Sequence, residues 1–267
     1  MRAVLPFFLF IFIHTAVSAK EVVRLSAGEW APYVSGSLDN HGLLSQLTQE
    51  AFAKVGVEVQ IGLFPWARAT NLSTSGEWDG TIAFVRLEER EKVYLYSDRL
   101  YSSDYVFFHL KSYPFQWNDY PDLKKITIAT TRGYGGMGDK FLSAEREGVI
   151  KVLRLNAENQ SFNMLRSGRV QAVPSDIEVG YAYLHKLYGK DADKFTHNPR
   201  VILNSEYHLV ISKKIKNGPR LIAKFNEGLR QLRKSGRYNE ILKIWYNKPI
   251  YRAALPAAYL QKISPTP

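Results

Sequence analysis

The sequence predicts an α/β fold in two lobes, each a mixed sheet with flanking helices, joined by two hinge segments. Three observations lead there. Segments of strand and helix periodicity follow one another as βαβαβ, the order of a sheet covered by helices, and a second αβ series comes after the first. Two apolar extended runs, 105–110 and 206–211, stand at the junctions of the series. The chain has 267 residues, more than one small core organises.

The elements follow in order. Residues 1–19 read as a secretory signal: Arg2 supplies the positive start, Val4 to Ile13 is almost wholly apolar, and Val17-Ser18-Ala19 offers small residues for cleavage after Ala19. That apolar run is about half of the roughly 20 residues that span a bilayer. Val22 to Leu25 alternates as a strand. Leu43 to Val55 is helical, with Leu43, Leu44, Leu47, Ala51 and Phe52 on one face, and Gly56 stops it. Val57 to Phe64 alternates again, Pro65 opens a helix from Trp66 to about Thr74, and Asp79 to Val85 reads as a buried strand.

Tyr105 to Leu110 is the first hinge segment. The second series then runs through strands at 125–130, 152–155 and 170–173 and helices at 139–147, 159–167 and 178–188. Glu206 to Ile211 is the second hinge segment, and 219–246 is helical with a break at Ser235-Gly236. This order divides the chain into a leader (1–19), a first part of lobe one (20–108), lobe two (109–207), and a return to lobe one with C-terminal helices (208–267).

Composition excludes several classes. There is no cysteine, so no disulfide framework, thiol nucleophile, thiolate zinc site or lipidated cysteine is expected. The histidines after the leader, at 41, 109, 185, 197 and 208, have no metal-ligand spacing. No metal or cofactor is therefore expected. The formal charge is +11, but Lys and Arg are spread along the chain, which suits a solvated basic surface and no nucleic-acid partner.

Six local motifs occur in order: Glu29-Trp30-Ala31-Pro32-Tyr33; Gly76-Glu77-Trp78-Asp79-Gly80; Glu89-Arg90 followed by Tyr96-Ser97-Asp98-Arg99-Leu100-Tyr101; Asp122-Leu123-Lys124; the turn at Gly133; and Ser167-Gly168-Arg169-Val170-Gln171-Ala172 with Asp176 beyond it. In that order and spacing they resemble the family 3 extracellular solute-binding proteins, the receptors of amino-acid ABC importers. The resemblance covers 22–247 and implies a two-lobed periplasmic-binding (type II) fold.

The resemblance also implies roles. Arg90 takes the place of the arginine that grips a ligand carboxylate, for which a planar guanidinium is suited; a surface pairing with Glu88 or Glu89 is the alternative. Asp176 takes the place of the aspartate that grips an ammonium. It also precedes a helical run and fits an N-cap. Trp30 takes the place of the aromatic over the ligand, or else packs in the core. Pro65-Trp66-Ala67-Arg68-Ala69 resembles a subgroup of the family, and puts Trp66 and Arg68 either at the cleft or on a packed, solvated helix. The sequence departs from the amino-acid receptors at Thr81 to Leu87, where small polar residues are missing, which puts an ordinary amino-acid ligand in doubt.

Gly133-Tyr134-Gly135-Gly136-Met137-Gly138 matches G-x-G-x-x-G, with Glu158 further on. No full dinucleotide-binding series surrounds it. Its value is physical: free amides at a glycine-rich helix start attract an anion. Gly133, Tyr134 and Gly135 are thus expected on the second side of the site. No nucleophile elbow is present.

The expectation is a monomeric periplasmic clamp, not an enzyme, that captures a small amino-acid-like or carboxylate-bearing molecule by hinge closure. Its partners would be an ABC importer's membrane subunits or a sensor protein. The alternatives are a cyclic-acid dehydratase-like enzyme on the same fold, for which Glu29 or Glu178 would be the acid, and an interaction protein with no ligand.

Overall fold

The structure is a computed structural model and describes residues 20–264. The expected leader lies outside the described residues. β1 (Glu21–Ala27) buries Val23, Leu25 and Ala27 and turns Val22 and Arg24 outward, the period of two that a strand imposes. α1 (Leu43–Ala53) turns Leu43, Leu44, Leu47, Ala51 and Phe52 into the core. β2 (Val57–Leu63) pairs in parallel with β1. α2 (Trp66–Ser75) begins after Pro65 and ends at Gly76, whose φ of 83° closes it in the left-handed region. β3 (Gly80–Phe84) is buried at every residue.

α3 (Glu88–Glu91) and β4 (Tyr94–Tyr96) come next; at four and three residues they are too short to show a period in sequence. β5 (Tyr101–Leu110) leads to β6 (Thr127–Thr131), α4 (Gly138–Arg146), β7 (Lys151–Leu155) and α5 (Glu158–Arg166). β8 (Val173–Asp176) and α6 (Ile177–Tyr188) follow. The strand expected over 170–173 therefore sits three residues later and contains Pro174. β8 ends the strand order, where a residue without an N–H is tolerated.

β9 (Phe195–Ser212) is an 18-residue strand where the sequence predicts only 206–211. Asn198, Pro199 and Asn204 break the alternation of its first half. That half is held by pairing with β5, whose register shifts twice to accommodate it. The last four elements are α7 (Gly218–Lys234), α8 (Arg237–Tyr246), α9 (Pro249–Arg252) and α10 (Ala257–Ile263).

The sheet runs β2-β1-β3-β9-β5-β8, with β4 also on β9, and β6 and β7 form a separate parallel pair. The end of β9 pairs with β3 and β4, and its beginning with β5, which pairs onward to β8. These two long strands carry the chain between lobes. α7 and α8 return to α1: Phe52 and Phe225 meet at 5.1 Å, Trp245 Nε1 donates to Gln46 Oε1 at 2.8 Å, and Arg237 grips Glu50 with two bonds of 2.9 Å. A second apolar cluster around Phe108, Phe162, Leu165, Ile177, Leu184 and Phe195 fills lobe two.

Candidate functional site

The site forms where the first-lobe loops meet the glycine turn of the second. Trp30 lies in a tight turn, its amide donating to Val34 and its carbonyl accepting from Tyr33 and Val34. The indole is 5 % exposed, yet it forms one wall of a cleft cavity. Edge-on contacts fix it against Tyr33 (5.2 Å), Tyr207 (5.3 Å), Trp66 (6.2 Å) and Tyr134 (6.3 Å). Trp66, the first residue of α2, lies against Gly28, where a Cβ would run into its ring. The indole N–H groups of Trp30 and Trp66 are both buried with no protein partner.

The end of β3 contributes the next wall. Ala83 has a φ of 62°, a left-handed conformation costly for a residue with a Cβ, and the β3 register breaks between Thr81 and Phe84. This kink presents Ala83, Phe84 and Val85 to the cavity. Arg90, on the short α3, reaches back over it. Its guanidinium stacks on Phe84 at 4.2 Å and donates to the carbonyls of Val85 (3.5 Å) and Gly133 (3.3 Å). Among the described residues no carboxylate pairs with Arg90, whereas neighbouring Glu89 pairs with Lys92. Burial pulls the Arg90 pKa below its usual value, and it stays charged in any accessible pH.

The second lobe closes the cavity with Gly133, Tyr134, Gly135 and Gly136. A side chain at Gly135 would meet Leu87 at 2.7 Å and Arg90 at 3.0 Å, so glycine there lets the backbone approach the cation. The amides of Tyr134 and Gly138 donate within the turn, to Thr131 and Gly135. With the lobes in contact the cavity is ≈ 30 Å³, room for about two waters.

Trp30, Trp66, Arg90, Gly133, Tyr134 and Gly135 thus come together. Arg68 and Asp176 do not line the cavity. Arg68 is exposed and stacks on Phe64 at 5.4 Å. Asp176 takes the second of the roles open to it in sequence, the cap of α6. Its Oδ1 accepts from the amides of Glu178 (2.9 Å) and Val179 (3.3 Å) and from the Tyr33 hydroxyl (3.0 Å), while Oδ2 accepts from Tyr207 (2.7 Å). Four donors and full burial leave it no open face. Tyr207 itself lines the cavity, so Asp176 lies one layer behind.

Glu178 lies beside Asp176, with Oε1 accepting from Tyr101 at 2.7 Å and Oε2 buried without a partner. Burial, with Asp176 acting second, raises the Glu178 pKa. Glu158, at the start of α5, accepts from Ser175 (2.8 Å) and Tyr134 (3.0 Å). Burial pushes its pKa up to about 7. Sequence reasoning passes over Glu158, Tyr105 and Tyr207. Glu158 left one sign, its distance from the glycine turn, but only the fold shows it bonded to that turn's Tyr134.

A two-lobed α/β molecule with a lone cation in an aromatic cleft is a ligand-binding protein. The chain matches the model of the bacterial extracellular solute-binding proteins, family 3, over residues 25–248, and belongs to that family. A search of curated proteins finds no match. Solved structures share the fold. Holo ArgBP from T. maritima is 25% identical, with a TM-score of 0.65 over 84% of this chain and 95% of that one. A histidine kinase sensor domain similar to periplasmic binding proteins is 19% identical, with a TM-score of 0.71 over 85% and 97% of the two chains. The ancestral amino acid-binding protein AncCDT-1, a precursor of cyclohexadienyl dehydratase, is 19% identical, with a TM-score of 0.65 over 85% and 95%.

Proposed function

We propose that this protein is an exported clamp that captures a small carboxylate-bearing, amino-acid-like molecule between its lobes. The observation that carries the reading is Arg90: a cation held in the cleft, stacked on Phe84 and free of any carboxylate among the described residues. An incoming carboxylate replaces two weak carbonyl contacts with a planar two-bond pair. Trp30 and Trp66 supply the apolar wall and two unclaimed N–H donors. Gly133, Tyr134 and Gly135 approach from the second lobe.

The ligand must touch both lobes, because only a difference in affinity between open and closed forms shifts that equilibrium. β5 and β9 are the strands about which the lobes part. The family, the sensor-domain likeness and the binding-protein likenesses support delivery to a membrane importer or a sensor, from the periplasm.

Thermal-shift screening of the purified protein against L-amino acids, small carboxylates, polyamines, peptides and sugars tests this. A carboxylate class should raise the melting temperature saturably, since a ligand that binds only the native state stabilises it. Arg90→Ala should weaken that ligand by about 2–5 kcal/mol. Unchanged affinity in Arg90→Ala refutes the assignment.

One observation favours a second reading. Glu158 is a buried acid close to neutral in pKa, and AncCDT-1 is named as a precursor of a dehydratase. A catalytic acid needs such a pKa. Turnover of a bound cyclic acid, in place of stoichiometric retention, would establish this reading.

A further inference from the structure

Asp176 and Glu178 stand at the start of α6, in lobe two, and both are buried. Their surroundings are tyrosines. Tyr33 comes from the turn after β1, Tyr101 from β5, Tyr246 from α8 and Tyr251 from α9. α8 packs on α1 of lobe one and α9 follows it, so lobe one brings these rings onto two acids of lobe two. Tyr251 lies beyond residue 248, where the family match ends. Neither acid has an ion-pair partner among the described residues.

Hydrogen bonds divide the pair unequally. Asp176 accepts from two amides and from the Tyr33 and Tyr207 hydroxyls. Glu178 accepts only from Tyr101, on Oε1 at 2.7 Å, and Tyr246 in turn donates to Tyr101 at 2.7 Å. Glu178 Oε2 is buried with no partner, and so is the Tyr251 hydroxyl beside it. An ionised carboxylate has about four acceptor positions, and burying them unfilled is costly; a protonated carboxyl carries an O–H of its own. The donors therefore assign the charge to Asp176 and the proton to Glu178. Burial and the charge of Asp176 both raise the Glu178 pKa.

The other titratable groups facing Glu178 stay neutral. Burial raises Tyr33, Tyr101, Tyr246 and Tyr251 well above the ordinary tyrosine value, and Tyr238 and Tyr259, which also feel the Glu178 charge, are raised too. The two acids alone titrate here near neutral pH. Parting the lobes takes Tyr33, Tyr246 and Tyr251 away from Glu178 and lets water reach it. A hydrated glutamate returns to its ordinary value of 4.5 and gives up its proton. Closing the lobes at neutral pH therefore takes up a proton.

We propose that Glu178 is a proton-binding site that couples closure of the lobes to pH, which makes the proton a second ligand of the clamp. The site lies behind the cleft and uses neither Arg90 nor the glycine turn. Its sign is set by the raised value in the closed form. The advantage of the closed form is fully present below the ordinary glutamate value and is lost as pH climbs through the closed-form value of about 8. Acid favours the closed clamp and alkali opens it. The proposal rests on the reading of the molecule as a hinged clamp. Its test needs no ligand, so it succeeds or fails whatever happens at Arg90.

The test is small-angle X-ray scattering from the purified, ligand-free protein at about pH 6 and about pH 9. Between them the closed-to-open ratio should fall by about a hundredfold, tenfold for each pH unit up to the closed-form value, and the radius of gyration should rise. Glu178→Gln keeps the shape and cannot titrate, so it should stay compact at both. Glu158 titrates in the same range but is intact in that variant, so it cannot account for a lost response. Should Glu178→Gln fail to fold, Tyr101→Phe replaces it. Loss of the one donor to Glu178 should move the opening to higher pH, whereas lost packing alone would open the lobes at every pH. An equal radius in the wild type at both pH values overturns the proposal, as does an equal pH response in wild type and Glu178→Gln. Wild-type opening at high pH together with no carboxylate binding would remove the Arg90 assignment and leave this one standing.

Discussion

Replacing Glu158 with glutamine should make the protein less sensitive to pH, in a direction the structure sets. Glu158 is 5 % exposed, and burial is the largest influence on it, raising its pKa from 4.5 to about 7. Hydrogen bonds from Ser175 and Tyr134 oppose the rise, and the nearby Asp176 adds to it. An acid whose folded pKa is raised holds its proton more tightly in the native state than in the unfolded chain. Its contribution to stability is most favourable below the unfolded value and declines as pH climbs towards the folded value. That rise corresponds to about 3 kcal/mol between about pH 4.5 and pH 8. For a chain of this size that is about 6–12 °C in melting temperature.

Glutamine keeps the shape and can bond both hydroxyls, but it does not titrate. Thermal unfolding of wild type and Glu158→Gln at about pH 5 and pH 8 gives a double difference in which other groups cancel. The wild type should lose about 2.5 kcal/mol more than the variant over that interval. Parallel pH profiles would refute the buried, proton-holding environment assigned to Glu158.

Two further outcomes test the frame around the cleft. Burial raises the Asp176 pKa to about 6, so Tyr33→Phe, which removes a first-lobe hydroxyl from it, should cost about 1.5–3 kcal/mol above neutral pH and less near pH 5; an equal loss at both would show that packing alone was disturbed. Gly228→Ala puts a methyl into the Ala51 carbonyl where α7 crosses α1, and should lower stability by about 1–3 kcal/mol in a denaturant titration. A neutral result would show that the helices separate without cost.

Much of the first lobe was legible in sequence because its elements are long and periodic. The α1 face of Leu43, Leu44, Leu47, Ala51 and Phe52 repeats at helical spacing, and Pro65 and Gly76 bracket α2 through constraints on φ that are local properties of those residues. The motifs around Trp30, Arg90 and Gly133 were equally local. Their meeting in one cavity was inferred from a family likeness, and the structure places them side by side.

What the sequence alone determined was therefore the alternation of strand and helix, the lack of thiol chemistry, and the residue types able to hold a charged small molecule. Tertiary structure decided the rest, because it depends on contacts between residues far apart in the chain. β9 extends to 18 residues only because β5 offers it a ladder. Asp176 caps α6 because Tyr33 and Tyr207 arrive from elsewhere to fill its remaining acceptors. The Glu158 pKa is pushed up to about 7 because the fold buries it without a cation. Hydrophobic period and backbone preference act within a few residues, while burial and charge neighbourhood exist only once the lobes are packed.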